Sequence, residues 1–85
     1  MNRVEAITQR LNVAFNPTEL EVLDDSHKHI GHVGHQGAGH FTVKIVARAF
    51  QQKRAVERHR MIYEALADLM GKEIHALAIV AKSTD

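Results

Sequence analysis

The sequence contains no cysteine. That excludes disulfide staples and removes thiolate from the metal ligands this chain can offer. The absence fits a reducing compartment. No apolar run approaches the roughly 18 residues that a membrane span needs. The first residues carry no apolar signal core, so a cytoplasmic location with no membrane association is expected. Excess charge of one sign is also missing. Eleven Lys and Arg stand against ten Asp and Glu, a net charge of +1 with neutral histidines. General electrostatic attraction to nucleic acid or membrane at neutral pH is therefore poorly supported. No nucleophile stands beside a general base, and Asp24-Asp25 reads more simply as a strand-ending turn than as a paired-carboxylate site. An enzyme is not expected.

What the chain does contain is enough apolar content, 45% of 85 residues, for one small globular domain spanning residues 1–85. A domain of this size buries only about 60–65% of its unfolded surface, so modest stability is expected. Asn2 can cap a helix, and Glu5 three residues later completes a capping-box-like start. Val4, Ile7 and Leu11 recur at helical spacing, which predicts a helix over 2–15 that Asn16-Pro17 stops. Leu20, Val22 and Leu23 predict a short strand over 18–24, ended by the turn residues Asp24-Asp25-Ser26. Phe41, Val43 and Ile45 alternate with Thr42 and Lys44, which predicts a strand over 41–47. Residues 50–53 read as a polar connection. A helix is predicted over 55–70 on Val56, Ile62, Tyr63, Leu66, Leu69 and Met70, with Gly71 as its terminator and an extra helical turn near 55. The nearly continuous apolar run Ile74–Val80, broken only by His75, suggests an internal strand.

Between the first two strands lies the stretch on which the functional reading turns, residues 26–40. It holds His27, His29, His32, His35 and His40, five of the seven histidines, and four of the five glycines. Imidazole is the commonest protein metal ligand and titrates near neutrality, at about 6.5 in model peptides. The stretch can be a ligand site, or a solvated loop whose histidines bind nothing.

Topology adds a sixth histidine to this picture. Strands 18–24 and 41–47 should pair antiparallel across the loop. The last strand follows a helical crossover, which suits a parallel neighbour. If 41–47 is that neighbour, both strands begin at one edge of the sheet, and His75 arrives beside the histidine loop, with strands about 4.8 Å apart. The alternative for a lone histidine in an apolar strand is a packed residue with its ring nitrogens hydrogen-bonded.

The stretches LEVLDDSHKH, GHF leading into VKIV, VERHRMIYEAL and IHALAI together resemble the BolA family over residues 20–80. The resemblance implies an α+β fold, α-β-β-α-α-β, with a three-stranded mixed sheet and helices on one face, similar to the second class of KH domains. It implies a monothiol glutaredoxin partner and a bridging [2Fe-2S] cluster, used in iron–sulfur trafficking or iron-responsive regulation. It implies His75, in the HAL motif, as one cluster ligand. The S-x-x-H pattern implies His29 as the second, with His27, His32, His35 and His40 as alternatives. Two imidazoles can serve one iron of a [2Fe-2S] centre. The remaining thiolates would come from the glutaredoxin and from glutathione, so this chain alone should hold no stable cluster.

Two other readings stay open. Some BolA proteins are DNA-binding transcription regulators, and Lys53, Arg54, Arg58, His59 and Arg60 form a basic cluster that could contact phosphates or dock the glutaredoxin. KH domains clamp the backbone with a GXXG loop. Here the corresponding connection, residues 50–55, has no glycine, and Gln52 stands where many BolA relatives carry one. The third reading is a histidine-rich metal buffer through His29, His32 and His35, with no regular scaffold to fix their geometry.

Overall fold

A computed structural model describes residues 2–26 and 39–84. In chain order the elements are α1 (Arg3–Phe15), β1 (Glu19–Asp24), β2 (Gly39–Val46), a 3-10 turn (Arg48–Phe50), α2 (Ala55–Ala65) and β3 (Ile74–Lys82). The start of α1 is the expected one: Asn2 Oδ1 accepts the Glu5 N–H at 2.8 Å. Its end is Asn16, in the left-handed region at φ 46, with its N–H donating to the Asn12 carbonyl. Asparagine tolerates that conformation better than most residues, and Pro17 cannot continue a helix.

The sheet order is β1-β2-β3. β1 pairs antiparallel with β2, and β2 pairs parallel with β3, as a helical crossover requires. Along β2 the odd positions Phe41, Val43 and Ile45 are buried, and the even positions face the other way. Period-two alternation thus assigns the two faces. Ile7 and Leu11 of α1, Ile62 of α2, and Leu66 and Leu69 beyond it pack with the odd face of β2 and with Ile74 into one core. Each such side chain stabilises the fold by about 1.5–3 kcal/mol when fully buried. The opposite face of the sheet carries partly exposed side chains, among them Glu21 and Lys44, 3.9 Å apart on paired strands.

Three boundaries differ from the periodicity reading. The regular part of α2 stops at Ala65 rather than near 70. Beyond it, Ala67 N–H reaches Glu64 O at 3.3 Å and Leu69 N–H reaches Leu66 O at 2.8 Å. These three-residue steps put Leu66 and Leu69 on the same side, where both are buried, while the chain turns back through Gly71 at φ 81. The extra helical turn lies at 48–50, ahead of the position expected. Phe50 is not part of a polar connection: it is fully buried, with its ring centroid 5.0 Å from that of Phe15. A single aromatic between Ala49 and Gln51 carries no periodicity, so only the packing reveals it.

Candidate functional site

Because β2 and β3 run the same way, their first residues share one edge of the sheet. His40 is the second residue of β2 and His75 the second of β3. Their ring centroids lie 5.1 Å apart, with the planes tilted by 53°. More than 30 residues separate them in sequence, so the sheet alone brings them together.

A β-bulge aims His75. Gly39 pairs with Ile74 and His40 with Ala76, so β3 carries one residue more than β2 at this point, and that residue is His75. Ile74 is buried and Leu77 packs against the same core, although they are three positions apart. Strict alternation would give His75 the parity of Leu77 and Ile79 and turn it toward the helices. The bulge breaks the alternation and leaves His75 exposed, with its ring against His40 on the open side.

His40 is fixed through its backbone. Its carbonyl accepts the Asp25 N–H at 2.7 Å. Its own N–H donates to Ser26 Oγ at 3.1 Å. The Asp25 carboxylate accepts from Thr42 Oγ1, and the Ser26 N–H is held by Asp24 Oδ1 at 2.9 Å. His40 Nε2 is shielded from solvent. Beside the pair is a shallow depression of about 240 Å³, lined by Asp25, His40, Phe41, Ala76, Leu77 and Ala78.

The ring spacing is compatible with one ion between the two imidazoles. An imidazole nitrogen lies about 2.0–2.1 Å from a tetrahedral metal, so two rings on one metal have centroids about 5 Å apart. The observed 5.1 Å matches that requirement. Among the described residues no set of three His, Asp or Glu side chains forms a complete metal site. The pair could thus supply only part of a coordination shell. Of the other expected ligands, His27, His29, His32 and His35 lie outside the described residues.

The basic cluster is less uniform than the sequence suggests. Lys53, Arg54 and Arg60 are exposed, and His59 is half-buried. Arg54 Nε lies 3.6 Å from the Glu57 carboxylate, which also accepts the Arg54 backbone N–H at 2.8 Å. That backbone hydrogen bond is the main reason the Glu57 carboxyl sits below its ordinary range. Arg58 is turned inward: Nε donates to Lys53 O at 2.9 Å and Nη1 to Ala81 O at 3.0 Å. It ties the start of α2 to the end of β3. His75 and Ala81 are six residues apart on one strand, so the basic cluster and the imidazole pair stand at opposite ends of the sheet, about 20 Å apart.

Sequence reasoning missed the bulge and the Asp25–Ser26 contacts. The bulge had one faint signal, two apolar core residues at 74 and 77 in a strand whose other core positions are two apart. The turn residues 24–26 were visible as punctuation, but not as partners of His40.

The profile of a family described as BolA-like protein matches residues 11–85. The chain is 45% identical over 83 residues to the SufE-like protein 1, chloroplastic/mitochondrial, of Arabidopsis thaliana; this covers 91% of the chain and 22% of that relative's length. It is 41% identical over 75 residues to the DNA-binding transcriptional regulator BolA of Escherichia coli, covering 88% of the chain and 70% of the relative. The solved BolA domain of SufE1 from Arabidopsis thaliana superimposes with a TM-score of 0.87 at 44% identity, over 99% of this chain and 94% of that one.

Proposed function

The chain belongs to the BolA-like protein family, and from that premise we propose that it pairs with a monothiol glutaredoxin to hold a [2Fe-2S] cluster between them. Its role would be iron–sulfur trafficking or iron-responsive regulation rather than catalysis. The Escherichia coli relative is named a transcriptional regulator. The observation that carries the reading is the imidazole pair at the open sheet edge, His75 and His40 with centroids 5.1 Å apart. That spacing suits two rings on one iron, and in a chain without cysteine imidazole is the donor type known to replace thiolate on one iron of such a centre.

In this reading His75 is the first ligand. His40 is the second, and His29 is the alternative from the loop that joins β1 to β2. The cluster's remaining ligands are the partner's cysteine thiolate and glutathione. The role of this chain's own residues is to present two neutral imidazoles at fixed separation. The bulge at His75 turns one ring outward, and the Asp25–Ser26 contacts hold the strand end that carries the other. Alanines at 76 and 78 keep the neighbouring open surface low, which leaves room for a partner to approach.

Reconstitution with a monothiol glutaredoxin, glutathione, iron and sulfide tests this. The expected result is a visible circular-dichroism spectrum distinct from that of the glutaredoxin dimer, altered by His75→Ala and by His40→Ala. A spectrum that His75→Ala leaves unchanged removes His75 as a ligand. A response to His29→Ala but not to His40→Ala moves the second ligand into the loop.

A second reading, DNA binding, is favoured by the name of the Escherichia coli relative and by exposed Lys53, Arg54 and Arg60 at the start of α2. Its test is salt-dependent binding to duplex DNA that Lys53→Ala and Arg60→Ala weaken. Absence of binding at about 0.15 M salt would count against it.

A further inference from the structure

We infer that Ser26 is a positioning residue for the imidazole pair, and that it can act only because residue 39 is glycine. The inference rests on the cluster-ligand reading of His40 and deepens it.

Both backbone polar groups of His40 are bound by two consecutive residues just after β1. Asp25 N–H donates to the His40 carbonyl at 2.7 Å, and the His40 N–H donates to Ser26 Oγ at 3.1 Å. A regular antiparallel rung would supply a backbone carbonyl for that N–H. Here a side-chain hydroxyl takes its place, after β1 has ended at Asp24. The hydroxyl is itself placed by local bonds: Asp24 Oδ1 accepts the Ser26 N–H at 2.9 Å, and Thr42 Oγ1 donates to the Asp25 carboxylate.

Gly39 makes the approach possible. A Cβ at position 39 would fall 2.6 Å from Ser26 Oγ, and 2.7 and 2.9 Å from Phe41 Cε2 and Cζ. All three distances are well inside van der Waals contact, so something must move. Phe41 is 2% exposed and locked in the core, whereas Ser26 is half-buried at the surface. The hydroxyl can swing away but the ring cannot, so a side chain at 39 both displaces the hydroxyl and shifts the strand end off Phe41. Ser26 and Gly39 thus form one device, and it acts at the register shift between Gly39 and His40. Without it, the strand end that carries one ring loses its only side-chain restraint among the described contacts of the His40 backbone, and the 5.1 Å separation is no longer held.

The test uses the protein without cluster first. In isotopically labelled protein, nuclear Overhauser contacts between the His40 and His75 rings report the pair, and His40 amide hydrogen exchange reports the clamp. Ser26→Ala is expected to abolish the ring contacts and speed His40 amide exchange at least about tenfold, the order of one lost hydrogen bond, while Val43 exchange stays at its parent rate. Gly39→Ala is expected to do the same, and Ser26→Thr, which keeps the hydroxyl, to preserve both signals. Ring contacts that survive Ser26→Ala, or that are lost equally in Ser26→Thr, overturn the inference. Should Gly39→Ala not fold, the Ser26 pair of variants carries the decision alone. The same variants are then reconstituted with the glutaredoxin. Ser26→Ala should reproduce the spectral change of His40→Ala. If the ring contacts are lost and the cluster spectrum is unchanged, the clamp stands as a structural fact, but His40 is not a ligand and the positioning role falls with that reading. If the ring contacts persist, Ser26 fails whatever the spectrum shows.

Discussion

Replacing Arg58 by alanine should lower the melting temperature of this protein by about 8–16 °C. The guanidinium bridges two backbone carbonyls, Lys53 O at 2.9 Å and Ala81 O at 3.0 Å, which belong to opposite ends of the α2–β3 crossover. Hydrogen bonds from a charged donor contribute about 1.5–3 kcal/mol each when well buried. Arg58 is half-buried, so about 1 kcal/mol per bond, or about 2 kcal/mol in all, is the appropriate figure. For a domain of this size each kcal/mol moves the midpoint by about 4–8 °C. Arg60, two residues on, is exposed, and its removal should cost no more than about 0.5 kcal/mol. Lysine at 58 should recover about half the loss, because one ammonium group cannot stand where both Nε and Nη1 stand. The assay is thermal unfolding followed by far-ultraviolet circular dichroism on the parent, Arg58→Ala, Arg58→Lys and Arg60→Ala. Midpoints for Arg58→Ala and Arg60→Ala that both fall within about 4 °C of the parent would refute the reasoning. The outcome also governs how DNA-binding data are read. A binding defect in Arg58→Ala would reflect an unfolded fraction as much as a lost phosphate contact, whereas Lys53→Ala and Arg60→Ala are clean probes.

Further expectations concern stability and pH. Gln52 sits at φ 62, where a non-glycine residue is strained by about 1–2 kcal/mol. Glycine there gives back about 0.5–1 kcal/mol in chain entropy. Gln52→Gly should therefore raise the midpoint by about 2–8 °C, and a lowered midpoint would show that the Gln52 side chain contributes more than its backbone costs. Asp68 accepts from Arg10 Nη2 at 2.6 Å, and that hydrogen bond, more than the charge attraction, holds the Asp68 carboxyl below its ordinary value. A carboxyl depressed in the folded state adds stability that is full above its unfolded pKa and is lost as pH falls through the lower folded value. The gap in melting temperature between the parent and Asp68→Asn should accordingly narrow as pH falls from about 5 to about 2. A gap that stays constant over that range would disconnect the pair from the acid response.

Much of the fold was legible because it is written locally. The Asn2 cap, the Ile7–Leu11 spacing and the Phe41–Val43–Ile45 alternation each involve neighbours whose geometry a single element dictates. The antiparallel and parallel pairings also followed, since a hairpin and a helical crossover leave few other topologies. Element ends were less legible. Where α2 stops depends on Leu66 and Leu69 reaching the core together, and Phe50 joins that core through Phe15, far away in the chain.

The sequence by itself determined which chemistry is available: imidazole without thiolate, a histidine in the last strand, and a topology that carries it toward the histidines preceding β2. Only the tertiary structure decided that His40 is the partner placed against His75. That choice depends on one extra residue in β3 and on a serine hydroxyl seated where a glycine has no Cβ. Both are packing outcomes between segments remote in the chain, and neither has a period that a sequence can display.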